Sequence, residues 1–163
     1  MKTLILIFSV VLIDADTFRY QGTDYRLALA DAFETYQVCQ IEGKPRRCGA
    51  SATRFVRRFV EGKTLKCLLT GRKTSFRTKS RPLVICSVDG KDLGEALIAN
   101  GRALPDPRFK KHYPQLWNIY LAAQQSAQRR RLGFWKGRFV VPWKFRACMY
   151  AGGIASKCSS SGG

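Results

Sequence analysis

The run "LILIFSVVLI", Leu4 to Ile13, ends directly in "DADTF", Asp14 to Phe18. Ten residues dense in Ile, Val and Leu are too few to span a bilayer, which takes about 20 as a helix. The segment "MKTLILIFSVVLI" has the positive residue and apolar stretch of a signal peptide, but no small-residue cleavage site precedes "DADTF". The run is therefore read as a first β-strand of the domain. Asp14 and Asp16 then share one strand face, because side chains alternate with period two. A second acidic stretch, "LADAFET", Leu29 to Thr35, follows closely and supplies Asp31 and Glu34.

Four carboxylates in so short a span stand out against the rest of the chain. It carries 29 Lys+Arg against 11 Asp+Glu, a net charge of +18 over 163 residues. The length suits one domain with or without a tail, and the 45% hydrophobic share argues against wholesale disorder. The basic residues occur throughout, as "KPRR", "RFVRR", "GRK", "RFKK" and "RRR", so no single run forms a detachable arm. Such a charge points to a polyanionic partner, nucleic acid first, an anionic membrane or polysaccharide otherwise. Grouped carboxylates repel one another unless a cation neutralises them, and hard oxygen ligands suit Ca²⁺ or Mg²⁺. The alternative is that each caps a turn or pairs with a nearby arginine.

The hairpin "TFRYQ"/"DYRLALA" turns at Gly22 and Thr23. "GASATRFVRRFVEG" has helical spacing at Ala52, Phe55, Val56, Phe59 and Val60, with Ser51 able to cap it and Gly62 to end it. "TLKCLL" and "RPLVICSV" read as strands, and "DGKDLGEALIANG" as a turn and a short helix stopped at Gly101. "YPQLWNIYLAAQQSAQRRRLGFW" reads as a longer helix with Leu116, Tyr120, Ala123 and Ala127 on one face. This order fits an α+β, mainly β fold: a five-stranded barrel of the oligonucleotide-binding type with about three helices. From "CMYAGGIASKCSSSGG" onward, Gly and Ser dominate and a poorly ordered tail is expected.

The six cysteines form no CxxC pair and there is one histidine, so structural zinc is disfavoured. Cys39 and Cys48 flank a loop, Cys67 and Cys86 lie in strand-like runs that a bridge could join, and Cys148 and Cys158 bracket the tail. Six cysteines allow about 15 pairings, and disulfides of any pairing imply an oxidising compartment.

In this order the motifs resemble those of the staphylococcal nuclease (thermonuclease) family, from about Ser9 to Trp135. The family's Asp-Gly-Asp-Thr strand end corresponds to "DADTF", and its "RLxGIDAPET" segment to "RLALADAFET", Arg26 to Thr35. Its "DRYGR", strand and "DG" correspond to "RTKSRPLVICSVDGKDLGEALIANGRA", and its closing helix with Gly-aliphatic-Trp to "RRRLGFWKGRF". The cysteine positions are similar to those of its exported bacterial branch. The resemblance implies a secreted or periplasmic, monomeric, Ca²⁺-dependent nuclease acting on DNA and RNA, single strands preferred, that leaves 3′-phosphate ends. It divides the chain into a nuclease-like domain, 1–137, and an extension, 138–163. Asp16 and Asp31 would hold the metal with the main-chain carbonyl of Ala32. Glu34 would orient or deprotonate the attacking water, Arg26 and Arg81 would grip the phosphate, and Asp14 would buttress the loop. The chain departs from the pattern at Ala15, at Phe33 in place of Pro, and before Arg81, where "DRYGR" has lost its Asp, Tyr and Gly. The family's nucleotide-contacting tyrosines have no clear counterpart, with Phe109 and Tyr113 as candidate stacking residues. Alternatives are a noncatalytic barrel that binds nucleic acid or another polyanion, and, more weakly, a role on an acidic exopolysaccharide.

Overall fold

The computed structural model describes residues 3–76 and 79–160. The strands are β1 (Leu4–Ile7), β2 (Val11–Leu12), β3 (Thr17–Tyr20), β4 (Thr23–Leu27), β5 (Ala30–Ala32), β6 (Val38–Ile41), β7 (Lys44–Arg47), β8 (Leu65–Phe76), β9 (Lys79–Val88), β10 (Lys91–Asp92), β11 (Ala103–Pro105) and β12 (Gly137–Arg138). The helices are α1 (Cys48–Val60), α2 (Leu93–Ala99), α3 (Pro114–Arg129), α4 (Pro142–Tyr150) and α5 (Ala155–Ser160).

The N-terminal apolar run is not one strand. It bends after Ile7 and changes partner, so β1 pairs antiparallel with β8 while β2 pairs with β3. Phe8 and Val11 stand exposed at the change. The β3–β4 hairpin turns through Gln21 and Gly22, both at positive φ (47° and 76°), as a tight two-residue loop between right-twisted strands requires. The turn falls one residue earlier than the sequence suggests.

A curled sheet runs β1-β8-β9-β4-β3-β2, with β10 beside β9. Its β4–β9 pair is parallel and its other pairs are antiparallel. With the helices it forms the expected α+β, oligonucleotide-binding-type barrel. The strands read as "TLKCLL" and "RPLVICSV" extend into the basic segment between them, as a long β8–β9 hairpin with an irregular register between Leu69 and Lys73. The middle of that segment, 77–78, lies outside the described residues.

Leu27, Val84 and Cys86 from the strands, Leu29 from the bend after β4, Leu93, Leu97 and Ile98 from α2 and Tyr120 from α3 share one buried core. α1 begins at Cys48 without a side-chain cap, and Ser51 instead accepts from Arg102 Nη1 at 2.5 Å. Gly62, at φ 67°, follows the helix end, and Gly101, at φ 59°, follows α2. Asp92 caps α2 by accepting from the Glu95 amide at 2.7 Å. The same Oδ1 accepts from the Tyr120 hydroxyl at 2.6 Å, tying α2 to α3.

The segment expected to be a poorly ordered tail is folded as far as Ser160. It forms the end of α4 and all of α5, and 161–163 lie outside the described residues. Val140, Phe145 and Cys158 make a small cluster of their own. Gln37 Nε2 donates to the Val140 carbonyl at 2.6 Å, and the Val38 amide donates to Ser159 Oγ at 3.1 Å. The cysteines pair as Cys39–Cys48, Cys67–Cys86 and Cys148–Cys158, the last joining α4 to α5.

Candidate active site

Asp16 stands at the entry to β3, Arg26 on β4 and Asp31 on β5. In the hairpin register Thr17 faces Arg26, which fixes Asp16 beside that guanidinium. Between β4 and β5 the chain bends at Leu29, which adopts φ 64° although fully buried. A bulky residue in this left-handed region is strained by about 1–3 kcal/mol and persists only when its surroundings hold it there. Leu29 is held by its place in the core and by the Asp106 amide, which donates to its carbonyl at 2.6 Å. The bend returns Asp31 to Arg26.

Arg26, its side chain 6% exposed, joins the two aspartates: Nη1 lies 2.9 Å from Asp16 Oδ1 and Nη2 2.6 Å from Asp31 Oδ1. Asp16 Oδ1 also accepts from Thr17 Oγ1 at 2.9 Å, and Oδ2 from the Ala32 amide at 2.8 Å. Asp14 accepts from the Asp16 amide at 3.0 Å. Glu34 follows β5, and its amide donates to Gln37 Oε1 at 3.3 Å.

Sequence reading missed Arg146. It projects from α4 into the acids, with Nη1 donating to Asp31 Oδ1 at 2.9 Å and to Glu34 Oε1 at 3.0 Å, and Nη2 to Asp31 Oδ2 at 2.8 Å. Asp16, Asp31 and Glu34 are therefore gathered as expected, but around two guanidiniums. Among the described residues no group of three acidic, histidine or cysteine side chains is open to a metal ion. The site's demand for positive charge is evident, since the chain places its own cation there, and the donors are hard oxygens of the kind Ca²⁺ takes.

Burial disfavours charge on Asp16, but Arg26 and the hydrogen bonds it accepts outweigh burial and hold its carboxyl below the ordinary range. At Asp31 burial prevails over Arg146 and Arg26, and its carboxyl is raised. Burial, aided by the charge on Asp16, raises Glu34 despite Arg146. Asp14 is pushed well up, by burial first and by Asp16 next. A raised Glu34 holds a proton more readily than a free glutamate, which suits a group that takes one from water.

Arg81 stands on β9 opposite Thr74, and its Nη1 donates to Thr17 Oγ1 at 3.2 Å. Its Nε is buried and has no partner among the described residues. Arg81 lines a cleft of about 410 Å³, together with Arg26, Lys73, Arg108 and Arg146. Phe109, Trp143 and Tyr150 supply aromatic surface to the same cleft, and Tyr113 is not part of it. Five cations and three aromatic rings beside an acid cluster suit an anion joined to a flat ring.

Of the departures, Ala15 is buried beside Asp16, and Phe33 packs edge-on against Phe134 (4.1 Å) and Phe139 (5.2 Å). The ring that replaces a proline anchors the stretch leading to α4.

Fold and site together define a small barrel protein with a cationic cleft beside grouped acids. The family model of staphylococcal nuclease homologues matches residues 24–137, and the chain belongs to that family. It is thus a module of a nuclease and nucleic-acid-binding family. No curated protein matches the chain. No described helix is long and apolar enough to cross a membrane.

Proposed function

We propose that the protein hydrolyses phosphodiester bonds of DNA and RNA with little base specificity, in a Ca²⁺-dependent reaction. The observation that carries this reading is the junction of two features: grouped acids, and a cleft lined by Arg81, whose buried Nε has no partner among the described residues. A buried unpaired donor is costly, and a phosphate oxygen would satisfy it. Arg81 and Arg26 would hold the nonbridging oxygens, where planar, always-charged forks stabilise the charge that grows in the transition state. Glu34 would take a proton from water as its oxygen bonds to phosphorus. The bond from phosphorus to the 5′ oxygen breaks, that oxygen takes up a proton and leaves as the 5′ hydroxyl of the downstream fragment, and the phosphate stays on the 3′ oxygen of the upstream one. Asp16, Asp31 and the Ala32 carbonyl would hold Ca²⁺, which when bound supplies positive charge to the phosphate oxygens. The cleft rings, Phe109 among them, would receive bases by stacking, which is tolerant of sequence and favours single strands. The three disulfides are consistent with a secreted or periplasmic site of action.

One observation favours a second reading. Asp16, Asp31 and Glu34 each already have a guanidinium partner, as in a noncatalytic barrel whose carboxylates are structural. An end-labelled single-stranded oligonucleotide separates the two. The first reading expects 3′-phosphate products from the wild type and none from Glu34→Gln; binding without cleavage by both would establish the second.

A further inference from the structure

Arg146 lies beyond the 24–137 stretch that the family model covers, on helix α4. We propose that Arg146 competes with a divalent cation for Asp31 and Glu34. This residue then sets the cation affinity of the site, and its guanidinium must leave the acids before Ca²⁺ can seat. The inference rests on the Ca²⁺ reading of the acid cluster given above.

A carboxylate offers about four lone-pair positions. Three at Asp31 are filled: two by the fork of Arg146 and one by Arg26. Asp16 is engaged by Arg26, Thr17 and the Ala32 amide. Ca²⁺ needs about 6–8 oxygen ligands, and it cannot gather them while a like charge fills the same positions. Of the two guanidiniums, Arg26 is the harder to move, since it lies within the sheet with its side chain 6% exposed. Arg146 is more accessible at 17%, and it stands at the boundary between the acids and the cleft.

That boundary gives the guanidinium somewhere to go. Arg146 lines the cleft with Arg81 and Lys73, so a side-chain rotation carries it from the carboxylates toward the anion site without unfolding α4. The helix backbone is restrained at both ends. Gln37 holds Val140 before it, and the Cys148–Cys158 bridge ties its last turn to α5. A charged side chain on a held backbone is suited to exchange between two positions. Cation entry at Asp31 thereby frees the Arg146 guanidinium for an anion in the cleft, and metal and phosphate binding reinforce one another.

Calorimetric titration of Ca²⁺ into the full chain tests this directly. Arg146→Gln should bind Ca²⁺ at least about tenfold more tightly than the wild type, the competing charge having been removed. Arg146→Lys, which keeps the charge and loses the fork, should fall between them. In the wild type, the Nε–H signal of Arg146 in a nitrogen–proton NMR spectrum, assigned by its loss in Arg146→Lys, should move on Ca²⁺ addition. This reading needs no variant beyond the assignment and stands even if Arg146→Gln fails to fold. Equal or weaker Ca²⁺ binding by Arg146→Gln, or an unmoved Arg146 signal with Ca²⁺ bound, overturns the competition and leaves the Ca²⁺ reading intact. Binding by none of the three proteins overturns both.

Discussion

Arg81 and Arg146 behave differently although both are arginines on the wall of one cleft. Arg146 is satisfied by Asp31 and Glu34, whereas Arg81 keeps a buried Nε that nothing described in the chain accepts. An unsatisfied donor is a reserve for a ligand, so Arg81 should matter to turnover more than to binding. Arg81→Ala should lower kcat by roughly 10²–10³-fold, the cost of losing one preorganised transition-state donor. Arg81→Lys should restore binding and leave turnover low, because the ammonium keeps charge but not the planar fork. Steady-state kinetics on a short oligonucleotide decides, and a lysine variant with near-native kcat would make Arg81 one surface cation among 29. Phe33 gives a second residue-scale test. Buried and ringed by Phe134 and Phe139, it should cost about 3–5 kcal/mol when cut to alanine, as large core deletions do. Denaturant unfolding measures it, and a loss below 1 kcal/mol would show that the ring is not an anchor. Asp16, Asp31, Arg26 and Glu34 were legible because they sit within 19 residues of one another, Asp16 to Glu34, in a recognisable order. Arg146 was not, since its partners are 112 and 115 residues away and nothing local distinguishes it from the other basic residues.

At the scale of elements, patterns that depend on local periodicity read well. α2 lies where apolar spacing and Gly101 put it, and α3 begins where expected but ends at Arg129, short of the "RRLGFW" that the sequence suggests, because only its earlier turns bury a face at helical intervals. The strand run before "DADTF" read poorly, since apolar composition does not reveal that β1 and β2 pair with different neighbours. α4 read poorly for another reason. Only Pro142 and Phe145 are buried along it, too few to give a periodic signal, and its position comes from Gln37, Val140 and a disulfide. Replacing Cys148 and Cys158 together by serine should therefore destabilise the chain, by about 2–5 kcal/mol if the bridge acts as native bridges do. An unchanged melting temperature would show that α4 and α5 hold without it.

The join between α2 and α3 carries a pH dependence. Burial raises the Asp92 carboxyl above its ordinary value, against the hydrogen bonds it accepts from Tyr120 and the Glu95 amide. The folded state thus binds this proton more tightly than the unfolded state. The contribution to stability is fully present below the unfolded value and is lost as pH rises through the raised folded value. The wild type should therefore gain stability relative to Asp92→Asn on acidification through that window. Melting temperatures of both proteins across the window test it, and a difference that moves the opposite way would contradict the assignment.

For the whole molecule, charge and sulfur were the most legible features. An excess of 18 positive charges predicted a polyanion surface, and five cations converge on one cleft. Six cysteines suggested an oxidising compartment without revealing their partners, because pairing is a property of the fold and not of spacing. In the structure all are paired, so an alkylating reagent should label none in the denatured, unreduced protein and all six after reduction. Mass spectrometry reads this, and six labelled cysteines before reduction would contradict the bridges. The barrel itself was legible as a class, since strand, hairpin and helix signals appear in order. The folding of its C-terminal stretch into α5, packed on α4 and β6, was not, because glycine and serine are prominent in the composition there.

The central claim is that the grouped acids serve a cation-dependent cleavage of nucleic acid. Its most direct test is single-stranded DNA incubated with the purified wild type in Ca²⁺, beside the same reaction in excess chelator and a Glu34→Gln control prepared identically. Cleavage in Ca²⁺, abolished by the chelator and absent from Glu34→Gln, is the predicted result. Undiminished cleavage by the wild type in chelator, with Glu34→Gln inactive, would contradict it.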